Sequence, residues 1–371
     1  MADKRTVAIL CGGRSAEHEV SLQSARNVYA AIDKRRFAVV MVGIDKQGIW
    51  RLCDPDDFLL HTDDPAAIAL KPGGAPVVLP ADGCTRRLLP LGGANADGIA
   101  VDVVFPLLHG TCGEDGTMQG LLELSGLPYV GAGVLGSAAG MDKDVAKRLL
   151  REAGLPVAPG RVLRTMPADS RELDALAEEL GLPLFVKPAR QGSSVGVSKV
   201  HDRGALEPAL REALAYDRKI LLEAFVAGRE IECAVLGNDA PRASVPGEIV
   251  PSADFYSYRA KYIDGDGAAL CVPAELDADT VARVQDLALQ VYRTLDGAGM
   301  GRVDVFLQAD GTLVVNELNT IPGFTRISMY PRLWEASGIG YAELIERLID
   351  LAFERHALDA PRAAVRPGES R

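Results

Sequence analysis

At 371 residues the chain exceeds the usual size of one hydrophobic core, so two or three domains are expected. Its 48% hydrophobic content belongs to a well-cored protein, and a formal charge of −11 argues against nucleic acid or an anionic membrane surface as a partner. No apolar run reaches membrane-span length, the start MADKRTVAIL lacks a signal-peptide pattern, and six cysteines without a Cys-x-x-Cys pair read as reduced, mostly packed thiols, so a cytoplasmic location is expected.

In chain order, RTVAILCGG reads as a buried strand, EVSLQSARNVYAAID as a helix, and FAVVMVGI and DVVFPLLHG as further buried strands. That alternation predicts a parallel α/β sheet with its site at the strand ends. Residues 45–98 are rich in turn residues and read as short excursions around one or two extra strands. Asp142 caps a helix that Gly154 and Pro156 end, and this helix opens a second domain. Strand PLFVKPA, a Gly/Ser loop, strand VGVSKV, helix GALEPALREALAY and strand KILLEAFV complete that domain. The last third holds two amphipathic helices, a hairpin and a loose tail. The expected division is 1–135, 136–225 and 226–371.

The hairpin, GRVDVFLQADGTLVVNELNT, departs from a plain core strand pair. With Asp310-Gly311 as a two-residue turn, Asp304 falls opposite Glu317, Arg302 opposite Asn319 and Phe306 opposite Val315, all on one face. Facing carboxylates repel, and a cation relieves that repulsion. The Asp, Glu and Asn oxygens are hard ligands that suit Mg²⁺ together with substrate phosphates. A solvated edge hairpin is the alternative, and a register slip of one residue would part the two acids.

Four other stretches carry chemistry of their own. CGGRSAEHEVSL is a Gly-rich strand-to-helix turn without the G-x-G-x-x-G spacing. Glu17 and Glu19 there would repel a pyrophosphate and suit a cationic amine, or else simply complement the helix dipole. In VKPARQGSSVGVSKV, Lys187 and the Ser193–Ser194 loop can wrap phosphate oxygens, or form a glycine hairpin; this is no Walker loop. In LLEAFVAGREIECAVLG, Glu223 and Glu230 flank Phe225 and Val226, which suits an adenine or leaves solvated strand-end charges. DFYSYRAKYIDGDG reads as an ordered lid or a ring-packed surface loop. Beyond the hairpin, NTIPGFTRIS places Gly323 and Ser328 where an N–H and a hydroxyl can meet a carboxylate, or where the chain merely turns.

The set GGRSAEHEVSL, HGTCGEDGTMQG, MDK, VKPARQGSSVGVSKV, YSYRAKY, GRVDVFL and NELNTIPGFT closely resembles the D-alanine–D-alanine ligases of the ATP-grasp superfamily, over residues 5–350. The resemblance implies a three-domain ATP-grasp architecture: an N-terminal parallel α/β domain, a small central lid domain and a C-terminal mixed α/β domain. ATP would lie between the last two. Lys143, Lys187 and Lys261 would contact its phosphates, with Asn316 beside them and the Ser193–Ser194 loop closing over them. Glu223, Phe225, Val226 and Glu230 would hold adenine and ribose. Asp304, Glu317 and Asn319 would bind two Mg²⁺ ions, with Mn²⁺ as a possible substitute.

The first D-alanine would place its ammonium on Glu17, which Ser193 and Tyr262 orient, near His109. Arg302 and the Gly323 N–H would meet the oxyanion, and Ser328 and Lys261 would fix the second carboxylate and the transferring phosphate. The KY lid accompanies dipeptide-forming members of the family, which favours an amine over a hydroxy acid as second nucleophile. A homodimer acting on small molecules is expected. An ATP-grasp ligase for another acid and amine, or a non-catalytic ATP-binding regulator, are the alternatives.

Overall fold

The computed structural model describes residues 4–92, 97–251 and 268–359. The lid stretch YSYRAKY, with Lys261 and Tyr262, and the C-terminal tail lie outside the described residues.

The first third forms a four-stranded sheet of order β3-β2-β1-β9. Its strands are β1 (Arg5–Gly12), β2 (Phe37–Ile44), β3 (Trp50–Cys53) and, after five short strands, β9 (Val103–Pro106). β1 pairs in parallel with β2 and β9, as the alternation predicted, and β3 adds an antiparallel edge. Val7, Ile9 and Cys11 enter one core while Ala8 and Leu10 enter another. Both faces of β1 are therefore covered, which is why its sequence is a continuous apolar run. Helix α1 (His18–Ala31) covers the first face with Leu22, Ala25 and Val28, and α2 (Thr117–Leu124) covers the second with Met118 and Leu122. The turn-rich stretch holds more strand than expected, in two small sheets built from β4 (Leu59–Leu60), β5 (Ala69–Leu70), β6 (Val77–Val78), β7 (Arg87–Pro90) and β8 (Ile99–Ala100).

Helices α3 (Val134–Met141) and α4 (Lys143–Glu152) follow, and Asp142 caps α4 by accepting from the Val145 N–H at 3.2 Å. The next sheet is antiparallel, of order β10-β13-β11-β12: β10 (Gly160–Leu163), β11 (Leu184–Pro188), β12 (Ser198–Val200) and β13 (Ile220–Ala224). Strand alternation divides its residues. Leu184, Val186, Ile220 and Leu222 pack under helices α5 (Ser170–Leu180) and α6 (Leu206–Tyr216). Phe185, Lys187 and Glu223 point the other way.

The third sheet runs β17-β16-β14-β18-β19, with β15 (Arg242–Ala243) attached to β14. It comprises β14 (Arg229–Leu236), β16 (Gly247–Pro251), β17 (Ala268–Cys271), β18 (Met300–Leu307) and β19 (Leu313–Asn319). Its core face holds Ile231, Cys233, Val303 and Val305 against α7 (Ala278–Thr294) and against Ala146 and Leu150 of α4. Helix α8 (Met329–Ala336) follows β19, and α9 (Tyr341–Asp359) returns to the first sheet, burying Leu344, Ile345, Leu348 and Ile349 with Val7 and Phe105.

The hairpin register holds at the site and fails below it. Arg302 pairs with Asn319 and Asp304 with Glu317, as expected, but Phe306 pairs with Val314 and Val315 with Val305. The turn has three residues rather than two: Gln308 N–H donates to the Thr312 carbonyl at 2.9 Å, and only Gly311 has positive φ, at +84°. A two-residue type I′ turn needs positive φ at both positions. The slip is cancelled by a bulge that leaves Asn316 unpaired between Val305 and Asp304. Val315 thereby joins the Val303–Val305 core rather than the Phe306 face.

Candidate active site

A cavity of about 380 Å³ separates the second and third sheets. Lys143, Lys187, Ser193, Ser194, Glu223, Phe225, Val226, Glu230 and Asn316 all line it, and these are all the described residues that the sequence assigned to ATP. Phe225 and Phe185 form an aromatic wall with ring centroids 6.2 Å apart, and Ile249 and Phe306 add apolar surface. The residues around Phe225 therefore provide faces for a flat ring, and the lysines provide charge for an anion.

The buried end is a charge triad that the sequence reading missed in part. Glu223 accepts from Lys187 Nζ at 2.6 Å and pairs with Lys147, and all three side chains are buried or nearly so. Burial alone would raise the Glu223 carboxyl, but the two ammoniums outweigh it and pull it down to about 2. Burial pushes the Lys147 ammonium below its ordinary value even with Glu223 beside it, whereas in Lys187 the carboxylate wins and the shift is upward. Lys147 sits one helical turn past Lys143 on α4. An i,i+4 pair of lysines on one helix face was the signal that could have identified it.

At the hairpin end the chain supplies its own counter-charges. Arg302 holds Asp304 through two bonds of 2.7 Å and lies 3.0 Å from Glu232, and Asn319 Nδ2 donates to Asp304 at 3.0 Å. Lys143 Nζ lies 3.2 Å from Glu317 and donates to the Gln191 carbonyl at 2.9 Å. Among the described residues no three His, Cys, Asp or Glu groups stand close enough to hold a metal ion by themselves. Two carboxylates and an amide oxygen beside a lysine-rich cavity suit Mg²⁺ whose remaining ligands come from phosphate. The donor set fits that ion.

Glu17 and Glu19 part company. Glu19 is a first-turn acid of α1 paired with Lys46 at 2.6 Å, the dipole-complementing alternative. Glu17 is buried and accepts from the Ser193 hydroxyl, so the Gly/Ser loop of the cavity reaches the first sheet's site. Gly110 and Gly192 flank it so closely that a Cβ on either would fall 2.4 or 2.6 Å from its Oε2. His109 is buried nearby. Its Nδ1 lies 2.9 Å from the Ile321 carbonyl, which can only accept, so Nδ1 carries the proton and Nε2 accepts from Ser24 Oγ at 3.0 Å. Burial lowers its pKa, so the imidazole is neutral.

Glu114 is a second residue that the sequence reading passed over. It accepts from the Gly110 and Ile321 N–H groups, both at 2.9 Å. Burial, and then the charge on Glu17, push its carboxyl up, while the two donors pull the other way. Gly323 and Ser328 come together as expected: a Cβ on Gly323 would meet Ser328 Oγ at 3.1 Å, and that oxygen accepts from the Thr325 N–H at 3.1 Å. Phe324 anchors this loop against Phe105, Tyr330 and Tyr341. The six cysteines are unpaired, but Cys84 and Cys112 are exposed rather than packed.

Comparison with known proteins gives a consistent result. The family model described as D-ala D-ala ligase N-terminus matches residues 6–132, and that described as D-ala D-ala ligase C-terminus matches residues 149–350. The D-alanine--D-alanine ligase of Shouchella clausii is 55% identical over 97% of each chain. D-alanine--D-alanine ligase A of Escherichia coli K12 is 53% identical over 96% of this chain and 98% of that one. Among solved structures, the D-alanine-D-alanine ligase of Coxiella burnetii superposes with a TM-score of 0.83 at 39% identity, covering 96% of both chains. The VanG D-Ala:D-Ser ligase of Enterococcus faecalis gives 0.81 at 34% identity, covering 94% of this chain and 100% of that one. The fold is therefore the ATP-grasp arrangement of these ligases, and the chain belongs to the D-alanine–D-alanine ligase family.

Proposed function

We propose that the chain joins two D-alanines into D-alanyl-D-alanine at the expense of one ATP, supplying a peptidoglycan precursor. The carboxylate of the first D-alanine attacks the γ-phosphorus and ADP leaves; the amine of the second attacks the acyl carbon and phosphate leaves. The observation that carries this reading is one juxtaposition. Every described residue assigned to ATP lines one cavity, and a loop of that cavity bonds Glu17 through Ser193.

In this reading Lys143 and Lys187 hold the phosphates, and Phe225, Val226, Glu223 and Glu230 hold adenine and ribose. Glu17 takes the first ammonium, with neutral His109 beside it. Arg302, held by Asp304 and Glu232 through Nε and Nη2, and the Gly323 N–H meet the oxyanion. Such donors contribute about 3 kcal/mol each in comparable sites. Ser328 and Lys261 fix the second carboxylate and the transferring phosphate, and Tyr262 completes the Glu17–Ser193 relay. Asp304, Glu317 and Asn319 would hold two Mg²⁺ ions, or Mn²⁺, which when bound neutralise charge on the β- and γ-phosphates. The chain is divided near residues 135 and 225, acts as a cytoplasmic homodimer and takes small-molecule substrates. Among the described residues no helix is long and apolar enough to cross a membrane.

The test is ADP and phosphate release with ATP, Mg²⁺ and D-alanine, set against L-alanine and against D-alanine plus D-lactate. D-alanine-dependent dipeptide formation is expected. Turnover only with another acid or amine, or none, overturns the reading.

A further inference from the structure

The loop from His109 to Glu114 grips one residue just past the end of a distant strand, Ile321 beyond β19, from both sides. Its shape comes from positive φ at Gly110 and Cys112, +73° and +64°, and from the Glu114 N–H donating back to the Gly110 carbonyl at 3.0 Å. This fold-back brings the Glu114 carboxylate over its own loop, where Oε1 accepts from the Gly110 N–H at 2.9 Å. Oε2 crosses to the third sheet's exit and accepts from the Ile321 N–H at 2.9 Å, 207 residues away in sequence. His109 Nδ1 meets the carbonyl of the same Ile321 at 2.9 Å. Both backbone polar groups of Ile321 are therefore claimed by one loop.

Each end of this latch touches a substrate position. Gly110 packs against Glu17 so tightly that a Cβ would fall 2.4 Å from its carboxylate. Ile321 stands two residues before Gly323, whose Cα faces Ser328. We propose that Glu114 is a positioning residue that sets the distance between the first-substrate site at Glu17 and the second-substrate segment at Gly323 and Ser328. This rests on the functional reading above and adds a residue that acts through the backbone of Gly110 and Ile321. Its two oxygens serve two backbone donors, and a carboxylate is the side chain that accepts at both. Glutamine keeps the size but presents an amide N–H₂ to one of the two N–H groups, which breaks the latch without leaving a void.

The experiment compares the parent with Glu114→Gln and Glu114→Asp, measuring the Michaelis constants for ATP and for each D-alanine, the ADP-to-dipeptide ratio and thermal unfolding. Misplacing one reactant by about 1 Å costs on the order of 100-fold, so dipeptide formation by Glu114→Gln should fall on the order of 10- to 100-fold. The constant for ATP should stay within about twofold. ADP should exceed dipeptide, because the acyl phosphate left waiting is hydrolysed by water to D-alanine and phosphate. Asp, which keeps the carboxyl group but reaches only one donor, should recover part of the rate. Variants with parental rate and equal ADP and dipeptide overturn the proposal, as does a loss shared evenly between ATP and D-alanine. Should neither variant fold, amide exchange in the parent decides: the Gly110 and Ile321 amides must be protected together, and rapid exchange at Ile321 overturns the latch. A parent without D-alanine turnover removes the functional reading and this inference with it, whereas an active parent with unaltered variants removes the inference alone.

Discussion

Among the described residues, the buried end of the cavity and the hairpin beside it are built from the same charged materials in different proportions. At the buried end one carboxylate, Glu223, is paired with two ammoniums, Lys147 and Lys187. At the hairpin three carboxylates, Glu232, Asp304 and Glu317, are paired with two cations, Arg302 and Lys143. Buried charge is tolerated when it is paired, and around such pairs a lysine-rich end favours an anion while a carboxylate-rich end favours a cation. One end therefore suits a polyphosphate and the other a divalent cation. A metal–nucleotide complex satisfies both at once. Lys143, on the helix that also carries Lys147, leans toward the acidic end and joins the two clusters.

Neutralising one acid at the hairpin is the largest expected break of this asymmetry. Glu317 pairs with Lys143 and belongs to the proposed metal set, so Glu317→Gln should lower kcat on the order of 100- to 1000-fold. Its carboxylate is partly exposed, so the unfolding midpoint should hold. A steady-state ADP assay beside a melting curve checks both, and an unchanged rate would remove Glu317 from the metal set. At the buried end the same change acts on stability. Glu223→Gln strands two ammoniums away from water, and removing one partner of a buried pair costs roughly 3–5 kcal/mol. Urea unfolding should register that loss, and saturating ATP should restore part of it, since a ligand bound only by the native state stabilises it. A variant as stable as the parent would mean that the triad is not a structural charge cluster.

How much of this asymmetry was legible in the sequence depends on the range of the contact. Asp304 opposite Glu317 was readable because a hairpin is local, yet it was readable through two compensating departures. Asp-Gly serves a two-residue type I′ turn and a three-residue turn ending in a left-handed glycine equally well, and nothing in VVNEL announces the bulge at Asn316. Lys187, Glu223 and Phe225 were legible because charge and ring stand at strand ends where a core needs neither. Glu114 and Glu232 were not. Their partners Ile321 and Arg302 come from elsewhere in the chain, and a single acid in a loop or strand carries no spacing signal. The motif resemblance reached His109 without explaining its ring; the hydrogen bonds to Ser24 and Ile321 show what holds it.

A smaller effect separates charge from packing at the buried end. The Glu223 carboxyl titrates near 2 in the folded chain, below the ordinary value of 4.5. A depressed carboxyl contributes its stability above the unfolded value and loses it as pH falls toward the folded one. The parent should therefore lose urea resistance between about pH 4.5 and 2 more steeply than Glu223→Gln, whose neutral amide does not titrate there. Equal slopes would move the acid sensitivity to other carboxylates.

The smallest expected effect concerns the aromatic wall. Phe225 is 40% exposed and packs loosely on Phe185, so truncating it leaves no sealed void. Phe225→Ala should leave the unfolding midpoint close to the parent's. An aromatic contact of this kind is worth about 0.5–1.5 kcal/mol beyond its area, so the Michaelis constant for ATP should rise roughly tenfold, with kcat nearly unchanged. That pattern is what a wall for the base predicts, because the ring holds adenine equally before and during phosphoryl transfer. A fall in kcat with an unchanged ATP constant would place Phe225 in the closure of the Ser193–Ser194 loop instead, and the apolar face of the cavity would then belong to its motion rather than to the nucleotide.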